Sequence, residues 1–284
     1  MKRIVIVAET GSDVSPQLAA QYDIEIVPMH VTFDGEALDD GQFPVEKIRE
    51  FYKSTGKLPT TSGSTPDDFN KVFDSIHERY PEAHILYLAY SAITTCSMQS
   101  GVIASEDRDY VTIIDTKQVS AGQCAVVVGV AEALQNDPDI SLDELIKVAQ
   151  DLIERANMCF LPDNLEFLCA GGRVSNAAYL GSRILSIHPC IEILEGKLMA
   201  TVKFRGKTAK CAKKLITEFS DKYNLDRSLI WIVYTVGTTD EVKEAIEETI
   251  KECGYERVRW IEAGGVITTH GGPGAFGLAG FSKK

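Results

Sequence analysis

The sequence is short of positive charge: 29 Lys and Arg stand against 41 Asp and Glu, a formal net charge of −12. A nucleic-acid partner needs a basic face for phosphates, so this balance argues against one. It also repels anions at long range, so a bound anion has to be held by local donors. Long apolar runs are missing as well. Ile4 to Ala8 follows Met1-Lys2-Arg3 in the manner of a signal peptide, but the polar Glu9-Thr10-Gly11-Ser12-Asp13 interrupts it at once. The longest later run, Ala125 to Ala131, falls well short of a membrane span. Seven cysteines (Cys96, Cys124, Cys159, Cys169, Cys190, Cys211 and Cys253) contain no C-x-x-C pair, and five histidines are equally dispersed. That pattern gives no zinc site and no disulfide framework; it reads as free thiols in the cytoplasm.

The common catalytic signatures are absent too. There is no G-x-x-x-x-G-K-[ST] phosphate cradle, no G-x-S-x-G elbow and no H-E-x-x-H. Gly272-Pro273-Gly274-Ala275-Phe276-Gly277 matches G-x-G-x-x-G literally. A dinucleotide site would open a βαβ unit there and place an acid about 20 positions on, yet only seven residues follow. No cofactor is expected.

What is present is the composition of a packed protein, 44% hydrophobic and 25% charged. At 284 residues two domains are the default. Strands at Lys2 to Ala8, Ile24 to Val31, His84 to Ala89 and Val111 to Ile114 alternate with helices. The helices lie around Val45 to Tyr52, Pro66 to Ile76, Ser120 to Leu134 and Asp143 to Ala156. This alternation predicts an α/β fold with a doubly wound parallel sheet over residues 1–157. Residues 158–284 read as a mixed-sheet α/β domain. Its strands are Cys159 to Phe167, Cys190 to Leu194, Lys197 to Lys203, Leu229 to Val236, Arg257 to Ile261 and Val266 to Thr269. Helices fall at Lys207 to Tyr223 and Thr239 to Cys253, with a hairpin turn at Glu195-Gly196-Lys197.

Polar loops punctuate this frame. Thr60-Thr61-Ser62-Gly63-Ser64-Thr65 gathers hydroxyls ahead of a helix, and Ser91-Ala92-Ile93-Thr94-Thr95 follows a strand end. In a doubly wound sheet both would lie at carboxyl ends of strands, where ligands bind, and hydroxyls with free amides suit an anion. Each alone is more simply a helix cap. Thr268-Thr269-His270-Gly271-Gly272-Pro273-Gly274 sets a histidine beside permissive glycines, which fits a ligand contact or a tight turn equally well. Gly171-Gly172-Arg173 and Arg205-Gly206-Lys207 are basic turns, or solvated loops.

Taken in order, these segments resemble the DegV family along essentially the whole chain. Thr61 to Pro66 is similar to its T-S-Q-P-S loop, Ser91 to Thr95 to its S-S-x-L-S-G turn, and Asp115 to Gly122 to its D-S/T-x-x-x-S-x-G element. Leu165 to Ser175 resembles L-x-x-L-x-x-G-G-R-I/V-S, and Ile267 to Gly274 the closing H-x-G-P-G segment; these two are the specific signals. The resemblance implies a long-chain fatty acid held between the two domains, and a fatty acid kinase catalytic subunit as partner. That separate ATP-binding subunit would phosphorylate the carboxylate to an acyl phosphate. It implies carboxylate contacts at Thr61 and at Thr94 or Thr95, with Ser62 and Ser91 as neighbours and His270 nearby. Arg173 and Arg205 would place the head group or dock the kinase, His270 sharing the docking face. Apolar residues such as Leu165, Phe167, Leu168, Leu180, Ile184, Leu185, Ile187, Ile191 and Ile193 could line the acyl tunnel or simply fill the core. Gly63-Ser64 in place of Gln-Pro, Thr94-Thr95-Cys96 in place of Ser-Gly-Thr, and His188 in place of lysine depart from the pattern. Two rivals stand beside this reading. One is a stand-alone acyl hydrolase or transferase using Ser62 or Thr61 with His270 as base. The other is a binding module for another small acid without a kinase.

Overall fold

A computed structural model describes residues 3–163, 165–172 and 187–284. Ile4–Glu9 (β1), Ile24–Val27 (β2), His84–Ala89 (β6) and Val111–Asp115 (β7) form a parallel sheet in the order β2-β1-β6-β7. Their residues alternate in direction. Val5, Val7, Ile85 and Tyr87 pack against Phe69, Phe73 and Ile76 of α3 (Pro66–Arg79) on one face. Ile6, Ala8, Leu86 and Leu88 meet α5 (Ser120–Asn136) on the other. Burial on both faces explains why these strands read as unbroken apolar runs. Local chemistry starts the helices. Ser15 accepts the Leu18 amide ahead of α1 (Pro16–Tyr22), and capping boxes Thr65/Asp68 and Ser141/Glu144 open α3 and α6 (Leu142–Arg155).

The second sheet begins where α6 ends. Its order is β10-β9-β8-β13-β11-β12, from Lys197–Arg205, Ile187–Leu194, Ala156–Leu161, Phe276–Phe281, Ile230–Tyr234 and Val258–Glu262. Only β11 and β12 pair in parallel, so the sheet is mixed. Helices α8 (Thr208–Lys222) and α9 (Asp240–Glu252) cover one face. The other face packs on α5, where Trp231, Val233 and Ala279 join Ile6 and Leu88 in one apolar cluster. Eleven of the 17 residues of α5 are buried, as its Ala- and Val-rich composition demands.

Several segments differ from their sequence expectation. Ile24 to Val31 is not one strand, because Pro28 removes an amide and the chain turns. After it, β3 (His30–Phe33) starts a small antiparallel sheet, β4-β3-β5, with Glu36–Asp39 and Thr60–Ser62. The first hydroxyl loop therefore belongs to an antiparallel strand and is not at the carboxyl end of a parallel one. Cys159 to Phe167 divides at Pro162 into β8 and α7 (Glu166–Ala170). Val266 to Thr269 is helix, not strand: α10 spans Gly265–Gly271. Central β13 escaped notice because its glycines hide it. Gly277 is required there, since a Cβ would lie 2.6 Å from the Cys159 carbonyl and 2.8 Å from Phe160 Cβ. A helix at Ser97–Ala104 (α4) was also unexpected. Among the described residues no helix is long and apolar enough to cross a membrane.

Candidate functional site

Strand alternation aims the first hydroxyl loop. Thr61 pairs with buried Val31, while Ser62 pairs with His30 and Thr60 with Thr32. Directly opposed residues share a face, so Thr61 turns inward with Val31 and its neighbours turn out. Thr61 Oγ1 there shares a 2.7 Å hydrogen bond with His270 Nε2, across 209 residues of sequence. His270 lies in the last turn of α10, where Gly171 lets it close in. A Cβ on Gly171 would overlap the imidazole, although its φ of −74° suits any residue.

These groups border a cavity with an empty volume of about 830 Å³, its open mouth included. Thr61, Ser62, Thr94, Thr95 and His270 contribute the polar margin; Met29, Met158, Phe160, Leu168, Leu198 and Val233 contribute apolar wall. The small antiparallel sheet, the six-stranded sheet and α10 all supply lining, so the cavity runs between the halves of the chain. No Lys, Arg, Asp or Glu is among the described residues that line it. The site offers hydroxyl and imidazole donors against hydrocarbon, which suits an amphiphile with a small polar head. No group of three or more His, Cys, Asp or Glu side chains could hold a metal among the described residues.

The other expected residues fall elsewhere. Ser91 is buried, and its hydroxyl donates to the Gly196 carbonyl at 2.8 Å, tying the second loop to the β9–β10 hairpin. Thr94 donates to the Ser91 carbonyl at 2.9 Å, and Thr95 Oγ1 lies 3.2 Å from Ser97 Oγ. Arg205 is exposed at the end of β10. Arg173 lies outside the described residues, as do Leu180, Ile184 and Leu185. Of the proposed tunnel residues that are described, Leu168 lines the cavity, while Leu165, Phe167, Ile191 and Ile193 are buried in core clusters. The G-x-G-x-x-G match is a turn between α10 and β13, with Gly272 and Gly274 at φ of 75° and 84°. It opens a strand and no helix.

Sequence reasoning passed over three buried acids behind the site. Burial pushes the Glu9 carboxyl up to about 7, against hydrogen bonds from Tyr87, Gln123 and the Tyr90 amide. Tyr90 in turn lines the cavity. Burial pushes Asp13 up to about 8, opposed by the Ser120 hydroxyl and the Gly264 amide and reinforced by Asp40. Asp40 is raised by burial as well, against the Val266 and Gly265 amides. The polar run Glu9 to Asp13 at the carboxyl end of β1 was the one sequence signal for the first two, and Asp40 had none.

Comparison with known proteins adds to this geometry. The family profile described as "Uncharacterised protein, DegV family" matches residues 3–283. A DegV domain-containing protein of Caldanaerobacter subterraneus is 28% identical over 285 residues, 98% of each chain. A Thermotoga maritima protein named "Fatty acid-binding protein" is 29% identical over 288 residues, 97% of this chain and 96% of its own. The solved structure of a DegV family protein from Thermus thermophilus, described as fatty acid binding, superposes with a TM-score of 0.87 at 27% identity. The match covers 99% of this chain and 100% of that one.

Proposed function

The chain belongs to the DegV family, and from that premise we propose that it binds a long-chain fatty acid and presents its carboxylate to a separate ATP-dependent kinase. The observation that carries the reading is the Thr61–His270 pair at the polar margin of a cavity with no Lys, Arg, Asp or Glu among its described lining. With Nε2–H donating to Thr61 Oγ1, the threonine proton is free to point at a carboxylate oxygen, a charge-assisted bond. Ser62, Thr94 and Thr95 also border the cavity. The apolar wall rewards each buried methylene by about 0.8 kcal/mol, which favours long chains over short acids. With a net charge of −12, such local donors replace long-range attraction. The related proteins described as fatty acid binding agree with this chemistry.

The kinase step rests on the family resemblance together with the missing phosphate cradle: ATP is bound by the partner, and this chain contributes the acceptor carboxylate. We assign exposed Arg205 to the docking face with His270. Residues 1–157 and 158–284 are the two lobes that share the ligand. The test is to denature the protein purified from its producing cells and extract it for mass spectrometry. A near-stoichiometric long-chain acid is expected; an empty protein that hydrolyses acyl esters would overturn the reading.

One observation favours the hydrolase alternative: 2.7 Å is within nucleophile-to-base reach for Thr61 and His270. A base also needs an orienting group on its other nitrogen. Asp13 and Asp40 cannot serve, because they bond the opposite end of α10, roughly 7–9 Å along its axis from His270 at 1.5 Å per residue. Turnover of an acyl p-nitrophenyl ester, lost in both Thr61→Val and His270→Gln, would establish this second reading over the first.

A further inference from the structure

α10 is seven residues long, and helices below about 12 residues are marginal in water without tertiary support. It starts at Gly265, and the residue at its N-cap, Gly264, has no side chain with which to cap it. Two carboxylates from distant parts of the chain take that role. Asp40, immediately after β4, accepts the Gly265 amide at 2.7 Å and the Val266 amide at 3.2 Å, one on each oxygen. Asp13, in the turn after β1, accepts the Gly264 amide at 2.7 Å on one oxygen and the Ser120 hydroxyl at 2.5 Å on the other. Both side chains are buried, at 6% and 5% exposure. They flank Gly264 so closely that a Cβ there would lie 3.3 Å from an oxygen of each.

Two neighbouring buried acids are a costly way to cap one turn, since burial penalises ionising either one and repulsion penalises ionising both. A single serine at the cap position would satisfy the first turn without that cost. Connectivity supplies the reason for the acids. Asp40 follows β4, and β4-β3-β5 is the sheet that carries Thr61. Its own amide donates to the Met29 carbonyl at 2.8 Å, beside β3. Asp40 therefore bridges the sheet that holds Thr61 to the helix that holds His270. Asp13 bridges the same helix to β1 and to the start of α5.

We propose that Asp40 and Asp13 are positioning residues for head-group recognition: they seat α10 so that His270 Nε2 meets Thr61 Oγ1. The inference rests on the reading that this pair receives the carboxylate. A seven-residue helix moves as one body, so a shift at its first turn carries through to its last. A hydrogen bond of 2.7 Å at the far end is lost once the atoms part beyond about 3.2 Å.

The test separates position from binding. The His270 imidazole resonances, assigned by their loss in His270→Gln, are recorded on protein stripped of lipid. Release of a bound fluorescent C16 fatty acid is then timed on the reloaded protein, and thermal unfolding is followed alongside. Asp40→Ala loses both acceptor oxygens and Asp40→Asn keeps one. The His270 resonances are expected to shift in both, more in Asp40→Ala, with release about fivefold faster there, a factor in keeping with a lost cap. Asp13→Asn shifts them in the same direction. A folded Asp40→Ala with lowered thermal stability but wild-type His270 resonances and release overturns the proposal and leaves the acids a structural role only. If Asp40→Ala does not fold, Asp40→Asn decides by the same two readouts. Shifted resonances with unchanged release would uphold the positioning and overturn the carboxylate reading beneath it.

Discussion

Thr61→Val tests the head group most directly. Valine matches threonine in shape, and the residue lies in β5, where a β-branched side chain is favoured. The substitution removes one oxygen, the partner of His270 Nε2 at 2.7 Å. In the free protein the loss is one part-buried hydrogen bond, about 0.5–1.5 kcal/mol, a shift of a few degrees in Tm at this chain length. In the complex the loss is a bond to a charged acceptor, about 1.5–3 kcal/mol, or roughly tenfold to 150-fold in Kd. Displacement of a fluorescent fatty acid by unlabelled C16 and C18 acids measures the second quantity, and differential scanning calorimetry the first. A variant whose Kd stays within about twofold of wild type, with Tm unchanged, would refute the carboxylate assignment.

Gly171→Ala places a methyl against the His270 ring at a backbone conformation alanine adopts freely, so affinity should fall while Tm barely moves; unchanged titration curves would show that the ring does not need that closeness. Asp13 holds its proton up to about pH 8 when folded, whereas an ordinary aspartate releases it near 3.8. Its contribution is therefore fully present below pH 3.8 and lost as pH rises through about 8. Asp13→Asn removes that dependence, so the Tm of the variant should gain on wild type between about pH 5 and pH 8; parallel curves would contradict the burial argument. Arg205→Ala should lower acyl-phosphate formation with a supplied kinase more than it lowers fatty acid binding, and equal losses would move Arg205 to the head group.

Much of the frame was legible because its causes are local. His84 to Ala89 was readable to the residue as an apolar run, and Pro66 after Thr65 announced α3. α10 was not legible, because Val266-Ile267-Thr268-Thr269 favours a strand by composition. It is helical through bonds to Asp13 and Asp40, more than 200 residues away. The site divides in the same way. Hydroxyl loops and a histidine between glycines could be picked out, yet nothing local reveals that Thr61 meets His270 or that Ser91 turns to Gly196. Residue type marks a candidate; only long-range pairing says which hydroxyl faces the cavity.

The position of α5 bears on how the molecule comes apart. A protein with two large sheets and a cavity between its halves invites the picture of lobes that melt one after the other. Here one helix is buried against both sheets, with Ile6 and Leu88 on one side and Trp231, Val233 and Ala279 on the other. Removing either sheet strips α5 of half its apolar cover, so neither half keeps a complete core when the other is lost. Heat denaturation should therefore be one cooperative event, with equal calorimetric and van't Hoff enthalpies, and fragments cut after residue 157 should expose the α5 surface and associate rather than fold alone.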